Sequence, residues 1–141
     1  METAMTKHPL YRYLSAEEAS KLQAIAKRQS YKANDTLISI GNRSRDIICI
    51  ERGSVSVRIS DSEGKPLEVA SLKQGNLIGE MNFIIPTRRT ANVVALSDVD
   101  AEILPYNELC SVLRSEPLLA SKVFAALNHQ LSEKYEGMLN N

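Results

Sequence analysis

The sequence predicts a mainly β protein, an antiparallel β-roll of jelly-roll type flanked by helices. Three observations predict it. From Thr36 the spacing of apolar residues changes from a period of about 3.6 to about 2. Gly41, Gly53, Gly64 and Gly75 separate the strand-like runs at nearly even intervals. The helical period returns only after Pro105. No long helical stretch interrupts 36–104, which excludes a doubly wound parallel sheet.

The chain opens with a polar, unpatterned stretch, 1–9, which reads as a flexible arm before a single domain spanning 10–141. Ser15-Ala-Glu-Glu18 has capping-box spacing, and Ala19, Leu22, Ile25 and Ala26 follow at helical intervals. A first helix of about three turns is expected there, with Glu17-Glu18 and Lys27-Arg28 as its solvated face and charged ends. Strands are expected at 36–40, 46–51, 54–60, 67–72, 91–96 and 99–104. In the third of these, Val55, Val57 and Ile59 face one side and Ser54, Ser56 and Arg58 the other, the alternation of a sheet packed on one face. Asp61-Ser-Glu-Gly64-Lys65 carries turn chemistry and should close a hairpin.

After Pro105 a short helix is expected over 106–113, ending near Ser115-Glu116-Pro117. Proline disfavours helical geometry in the residue before it and suits the first turn of the next helix. Residues 117–138 then read as one long helix, the C-terminal helices together covering 106–138. Ala120, Phe124, Leu127, Leu131, Tyr135 and Met138 form its apolar stripe. The stripe either rests on the protein's own roll or pairs with a second copy, a homodimer through Phe124, Leu127 and Leu131.

Composition narrows the function classes. Seventeen basic residues balance seventeen acidic ones, so no global field draws the chain to nucleic acid or an anionic membrane, and any anion binding is local. No apolar run approaches the about 20 residues of a membrane span, and the start lacks the order of a signal peptide. Cys49 and Cys110 lack metal-ligand spacing and read as buried small hydrophobes of a reducing compartment. A cytoplasmic location without direct membrane contact is expected, for a protein standing alone or for a domain of a larger membrane or regulatory protein. His8 and His129 are separated by almost the whole chain, and there is no nucleophile elbow, Cys/His pair or P-loop. Neither an enzyme, a metal nor a cofactor is expected.

The segment that carries chemistry is 74–93. It holds two glycines, a lone acid at Glu80, an apolar turn of residues and the adjacent Arg88 and Arg89. Glycine at 79 permits a positive φ, and successive amides at such a turn or helix start make a concavity for an anion. Arg89 closes the other side. Each charge-assisted bond contributes about 1.5–3 kcal/mol, so a neutral protein can hold a phosphate there. Glu80 beside a phosphate fits an acceptor for a sugar hydroxyl.

Ile78-Gly79-Glu80, followed by Arg89-Thr90-Ala91-Asn92-Val93, resembles the phosphate-binding cassette of the cyclic-nucleotide-binding domain family. Gly41-Asn-Arg-Ser-Arg-Asp46, Gly53-Ser-Val-Ser-Val57, Glu63-Gly64-Lys65 and Ser71-Leu72-Lys-Gln-Gly75 are similar to the β-roll of bacterial catabolite activators, while Arg88-Arg-Thr-Ala-Asn92 is closer to cyclic-nucleotide-gated channels. The resemblance implies cAMP or cGMP as ligand. It implies that Gly79 and the amides of Glu80, Met81 and Asn82 hold the cyclic phosphate, that Glu80 accepts from the ribose 2′-hydroxyl and that Arg89 pairs with the phosphate. Thr90 would contact phosphate or base, Ala70 and Leu72 would flank the base, and the long helix would act as lid and dimer face. Family members usually carry Ala, Gly or Ser in place of Asn82, and Pro in place of Arg88. An Asn82 side chain pointing inward would fill part of the pocket; one pointing outward would leave only its amide relevant.

Two functions follow from this reading. One is a regulatory module that converts nucleotide capture into movement of its C-terminal helix. The alternative is a degenerate domain of the same fold that serves dimerisation or docking without nucleotide. A DNA-binding regulator is disfavoured, because only Leu-Asn-Asn follows Met138, so no nucleic acid is expected as a partner of this chain.

Overall fold

A computed structural model describes residues 8–139. It divides into two compact units, one running through Ile25 and resuming at Asn107, the other Ala26–Tyr106.

The second unit is the β-roll. Its strands are β1 (Lys27–Tyr31), β2 (Thr36–Ile38), β3 (Ile47–Arg52), β4 (Ser54–Ser60), β5 (Pro66–Lys73), β6 (Leu77–Ile78), β7 (Asn92–Ala95) and β8 (Val99–Leu104). They form two four-stranded antiparallel sheets, in the orders β1-β8-β3-β6 and β2-β7-β4-β5. A core of Ile38, Ile48, Ile50, Val55, Ile78, Val93, Ala95, Val99 and Ala101 draws on both sheets. Burying a side chain of this size contributes about 1.5–3 kcal/mol, which is why the apolar alternation dictates the strand faces. The expected hairpin is present: Asp61 Oδ1 accepts from the amides of Glu63 and Lys65 at 2.8 and 2.9 Å, and β4 pairs with β5.

Three expectations need correction here. Lys27 and Arg28 do not end the first helix; they begin β1, whose backbone pairs with β8. A polar run folds as a strand because the ladder supplies its hydrogen bonds and a sheet edge tolerates charge. The two-residue β6 was also missed, being too short to show a period. Ser56, expected on a solvated face, is fully buried; its hydroxyl bonds the Glu68 carboxylate and accepts from Arg58 Nε at 3.0 Å.

The helical unit contains a 3-10 turn (Pro9–Tyr11), α1 (Ala16–Gln23), the body of a ten-residue helix (Tyr106–Ser115) and a long helix (Pro117–Leu139). Along the chain these become α1, α3 and α4, with α2 (Glu80–Ile84) in the roll. The capping box forms in both directions: the Ser15 amide donates to Glu18 Oε1 at 2.9 Å and the Glu18 amide to Ser15 Oγ at 3.1 Å. The helix stops after eight residues, a turn short of expectation. Glu18 also receives Lys122 Nζ from α4 at 2.9 Å, and Lys21 Nζ reaches Glu116 at 2.9 Å. The Ser15 amide and the Lys122 ammonium hold the Glu18 carboxyl below its usual range.

The stripe of α4 lies one position from where it was expected. Leu119, Val123, Ala126 and Leu127 are the buried residues, whereas Phe124 is about half exposed and Ala120 and Leu131 are half-buried. Phe124, Leu127 and Leu131 therefore do not make one accessible dimer face. Leu127, shared by both stripes, is closed off. The side chains of Tyr135 and Met138 lie outside the described residues, as do 1–7 of the expected arm. The last part of that arm is folded: His8 is buried and stacks on Tyr11 at 4.2 Å, and Pro9 opens the 3-10 turn. Cys49 is buried, which pushes its thiol up to about 12, while Cys110 is only half-buried. Among the described residues no helix is long and apolar enough to cross a membrane.

Burial lowers the His8 pKa from 6.5 to about 4. The folded chain therefore resists a proton that the unfolded chain accepts, so the stability from neutral His8 is complete above pH 6.5 and falls away as the pH drops toward 4. Urea melts at pH 7, 6, 5 and 4 are expected to show that loss, and His8→Asn, which keeps an acceptor for the Leu10 amide, is expected to flatten it. An identical slope in the variant would remove His8 as the source.

Candidate functional site

The segment between β6 and β7 folds around one glycine. Gly79 ends β6 and takes φ 87°, the left-handed conformation that turns the chain directly into α2. A Cβ there would collide with the Arg89 guanidinium and lie 2.9 Å from the Asp46 carbonyl oxygen. The missing side chain is what lets Arg89 lie against the turn. The first backbone bond of α2 runs from the Phe83 amide to the Gly79 carbonyl at 3.3 Å, so the amides of Glu80, Met81 and Asn82 sit in the turn that precedes intrahelical pairing.

Arg89 is 3% exposed. Its backbone is laced to the loop after β2: the Gly41 amide donates to the Arg89 carbonyl, and the Arg89 amide to the Asn42 carbonyl, both at 2.8 Å. Nη2 donates to the Asp46 carbonyl at 2.8 Å and, more weakly, to Ser44 Oγ at 3.4 Å. Nη1 donates to Asn82 Oδ1 at 3.0 Å and reaches the Gly79 carbonyl at 3.4 Å, while the buried Nε has no hydrogen-bond partner. Desolvation lowers the guanidinium pKa, opposed by the charges of Asp46 and Glu80.

Asn82 resolves the question its identity raised. Its side chain points inward and is buried. Nδ2 donates to the Thr87 carbonyl, Thr87 Oγ1 and the Arg88 carbonyl, each at 3.1 Å, which leaves Oδ1 for Arg89. The amide thus occupies one end of the guanidinium and pins the loop that leads to it.

The other expected residues are dispersed around this centre. Ile78 is buried in the core, Glu80 is buried at the first position of α2, and Met81 and Ala91 are half-buried. Ala70 and Leu72 lie half-buried on β5, opposite Val57 and Val55. Thr90 is exposed. A cavity of about 370 Å³ is lined by Tyr31, Ile38, Ser44, Asp46, Ile48 and Arg89 among others; of the residues expected to hold a ligand, only Arg89 borders it.

Sequence reasoning missed Arg45 and Asp46. Arg45 donates from Nε to the Asn82 carbonyl and from Nη2 to the Phe83 carbonyl, both at 2.8 Å, so it receives the last turn of α2. Its Nη1 donates to the Tyr106 hydroxyl at 2.6 Å, and the guanidinium lies 4.2 Å from the centre of that ring. Asp46 Oδ1 accepts from the Tyr106 amide at 2.8 Å. The sequence held no local signal for these contacts, since they join positions some 37 to 61 residues apart. Among the described residues no three His, Cys, Asp or Glu side chains gather in a way that holds a metal ion.

A family model described as the cyclic nucleotide-binding domain matches residues 28–116. The chain is similar to the cAMP-activated global transcriptional regulator CRP of Escherichia coli, 29% identical over 111 residues that cover 78% of this chain and 53% of that protein. It is also similar to the cyclic AMP receptor protein of Thermus thermophilus, 26% identical over 129 residues, 92% of this chain and 60% of that one. The chain thus spans between 53% and 60% of these relatives' lengths. Among solved structures it is similar to a cyclic nucleotide-binding domain from Methylobacillus flagellatus, with a TM-score of 0.83, 25% identity, and coverage of 88% of this chain and 70% of that one.

Gly79→Ala joins a left-handed φ to a collision with Arg89 and the Asp46 carbonyl. The substitution is expected to destabilise the fold by more than about 1 kcal/mol in urea denaturation. A variant as stable as the parent would mean that the turn does not depend on this close approach.

Proposed function

The chain belongs to the cyclic nucleotide-binding domain family, and from that premise we propose that the segment 78–91 binds cAMP or cGMP and passes the event to the helix beginning at Tyr106. The observation that carries this reading is the buried Arg89 guanidinium lying against Gly79, at the start of α2. A cation held out of water by neutral oxygens retains uncompensated charge, and a phosphate is the group that best compensates it. The names of the relatives from Escherichia coli and Thermus thermophilus, both of which refer to cAMP, support the ligand class.

In this reading the cyclic phosphate takes the amides of Glu80, Met81 and Asn82 and the Arg89 guanidinium. Glu80 accepts from the ribose 2′-hydroxyl, the side chains of Ala70 and Leu72 line the base, and Thr90 contacts phosphate or base. To reach Nη1 the phosphate displaces Asn82 Oδ1. That exchange loosens the bond between α2 and Arg89, and both are tied to Tyr106: α2 through Arg45, and Arg89 through Asp46. The ligand shifts the population toward the arrangement it binds more tightly, and the first turn of α3 follows.

Isothermal titration with cAMP and cGMP tests the reading directly, and no heat with either would sink it. Arg89→Ala is expected to weaken binding by about 10- to 100-fold, the worth of one charge-assisted bond. Arg88→Ala, whose side chain is exposed and only 3.5 Å from its nearest acceptor, the Gly41 carbonyl, is expected to leave affinity unchanged. Equal losses would show that the wrong arginine has been chosen.

Asn82→Ala separates two effects. It removes the Asn82 Oδ1 acceptor from Nη1 and is expected to tighten nucleotide binding by about tenfold, the equivalent of about 1.5 kcal/mol, while the loss of the Nδ2 bonds lowers folding stability. Weaker binding in a folded variant would show that Asn82 supports the pocket rather than competing for it.

A further inference from the structure

We propose that the outer surface of the same segment carries a second anion site, formed by Arg43, Arg45 and Arg88, which takes the diphosphate group of a small ligand. These three residues, with Pro86 and Thr87, line a cavity of about 270 Å³. No acidic residue contributes to its wall, and among the described residues none of the three arginines forms an ion pair. The chain carries no net charge, so this is a local concentration of positive charge. Like charges gathered without a carboxylate repel, and an anion seated among them reverses the sign of that interaction.

The site is partly built in advance. Arg45 is held by the Asn82 and Phe83 carbonyls, by the Tyr106 hydroxyl and by the Tyr106 ring. Arg43 and Arg88 are exposed and able to close from either side. Thr87 Oγ1 accepts from Asn82 Nδ2 at 3.1 Å, so its own proton is available for an acceptor in the cavity. Guanidinium groups match phosphate oxygens as planar forks, and three of them suit two linked phosphates better than one. Arg89, on which the cyclic-nucleotide reading rests, does not line this cavity, so the second site stands independently of that reading.

The test is a titration of the full chain, ¹⁵N-labelled, with inorganic pyrophosphate and separately with inorganic phosphate, at constant ionic strength. Saturable shifts at the amides of 43–45, 87 and 88 are expected, with pyrophosphate binding at least tenfold more tightly than phosphate. The exposed double variant Arg43→Ala/Arg88→Ala, checked for an unchanged thermal melt, is expected to weaken pyrophosphate binding at least tenfold. The proposal is overturned by non-saturable shifts, by shifts centred on 79–82, by equal affinity for the two anions, or by a double variant that binds as the parent does.

Discussion

The roll is organised around a cation that has been taken out of water. A guanidinium in a protein interior carries a desolvation cost of several kcal/mol unless its protons are matched, and the two terminal nitrogens of Arg89 are matched by two carbonyls, an amide oxygen and a hydroxyl drawn from two separate stretches of chain, 44–46 and 79–82. That requirement explains why residue 79 has no side chain, why the Arg89 backbone is laced to residues 41 and 42, and why the Asp46 carbonyl turns inward at the start of β3. Each of these features taken alone is an ordinary loop contact. Together they are the conditions under which one charge can stay buried.

Much of the fold was legible because it rests on local patterns. β4 and β8 fall at their expected bounds, the Asp61 turn closes the expected hairpin, and the Ser15–Glu18 capping box forms as its spacing implies. β1 was not legible, because Lys27 through Tyr31 show no apolar alternation and become a strand only when β8 offers a ladder. The phase of the α4 stripe failed for a related reason. Leu118, Leu119, Val123, Phe124, Ala126 and Leu127 offer two overlapping apolar faces, and tertiary packing rather than spacing selects Leu119, Val123, Ala126 and Leu127.

The site divides along the same line. The positive φ at Gly79 and the turn into a short helix follow from a glycine and a brief apolar run close together in sequence, whereas the depth at which Arg89 is buried does not, since it depends on acceptors at Ser44, Asp46 and Asn82. The inward turn of Asn82 could not be read, since it depends on three acceptors at Thr87 and Arg88 presented by a folded loop. Arg45 and Asp46 are neighbours in the chain, yet each acts on groups far along it, one at Asn82, Phe83 and the Tyr106 hydroxyl, the other at the Tyr106 amide. Two attachments on one residue fix its orientation where a single bond would permit rotation, and this residue is the one at which β8 gives way to α3.

The kind of acceptor around Arg89 also decides whether the site can exchange partners. Had a carboxylate been its direct partner, separating the two would cost about 3–5 kcal/mol, and a ligand phosphate would face a like charge in the same space. The acceptors are instead neutral, with Asp46 and Glu80 acting through space to favour the charged guanidinium. The bond from the guanidinium to Asn82 Oδ1 has one charged partner and contributes about 1.5–3 kcal/mol, less than breaking a buried ion pair would cost, so an incoming anion that pairs with the cation charge to charge can replace it. Holding the cation with dipoles keeps it buried without neutralising it, and in the proposed function that retained charge is what the ligand recognises.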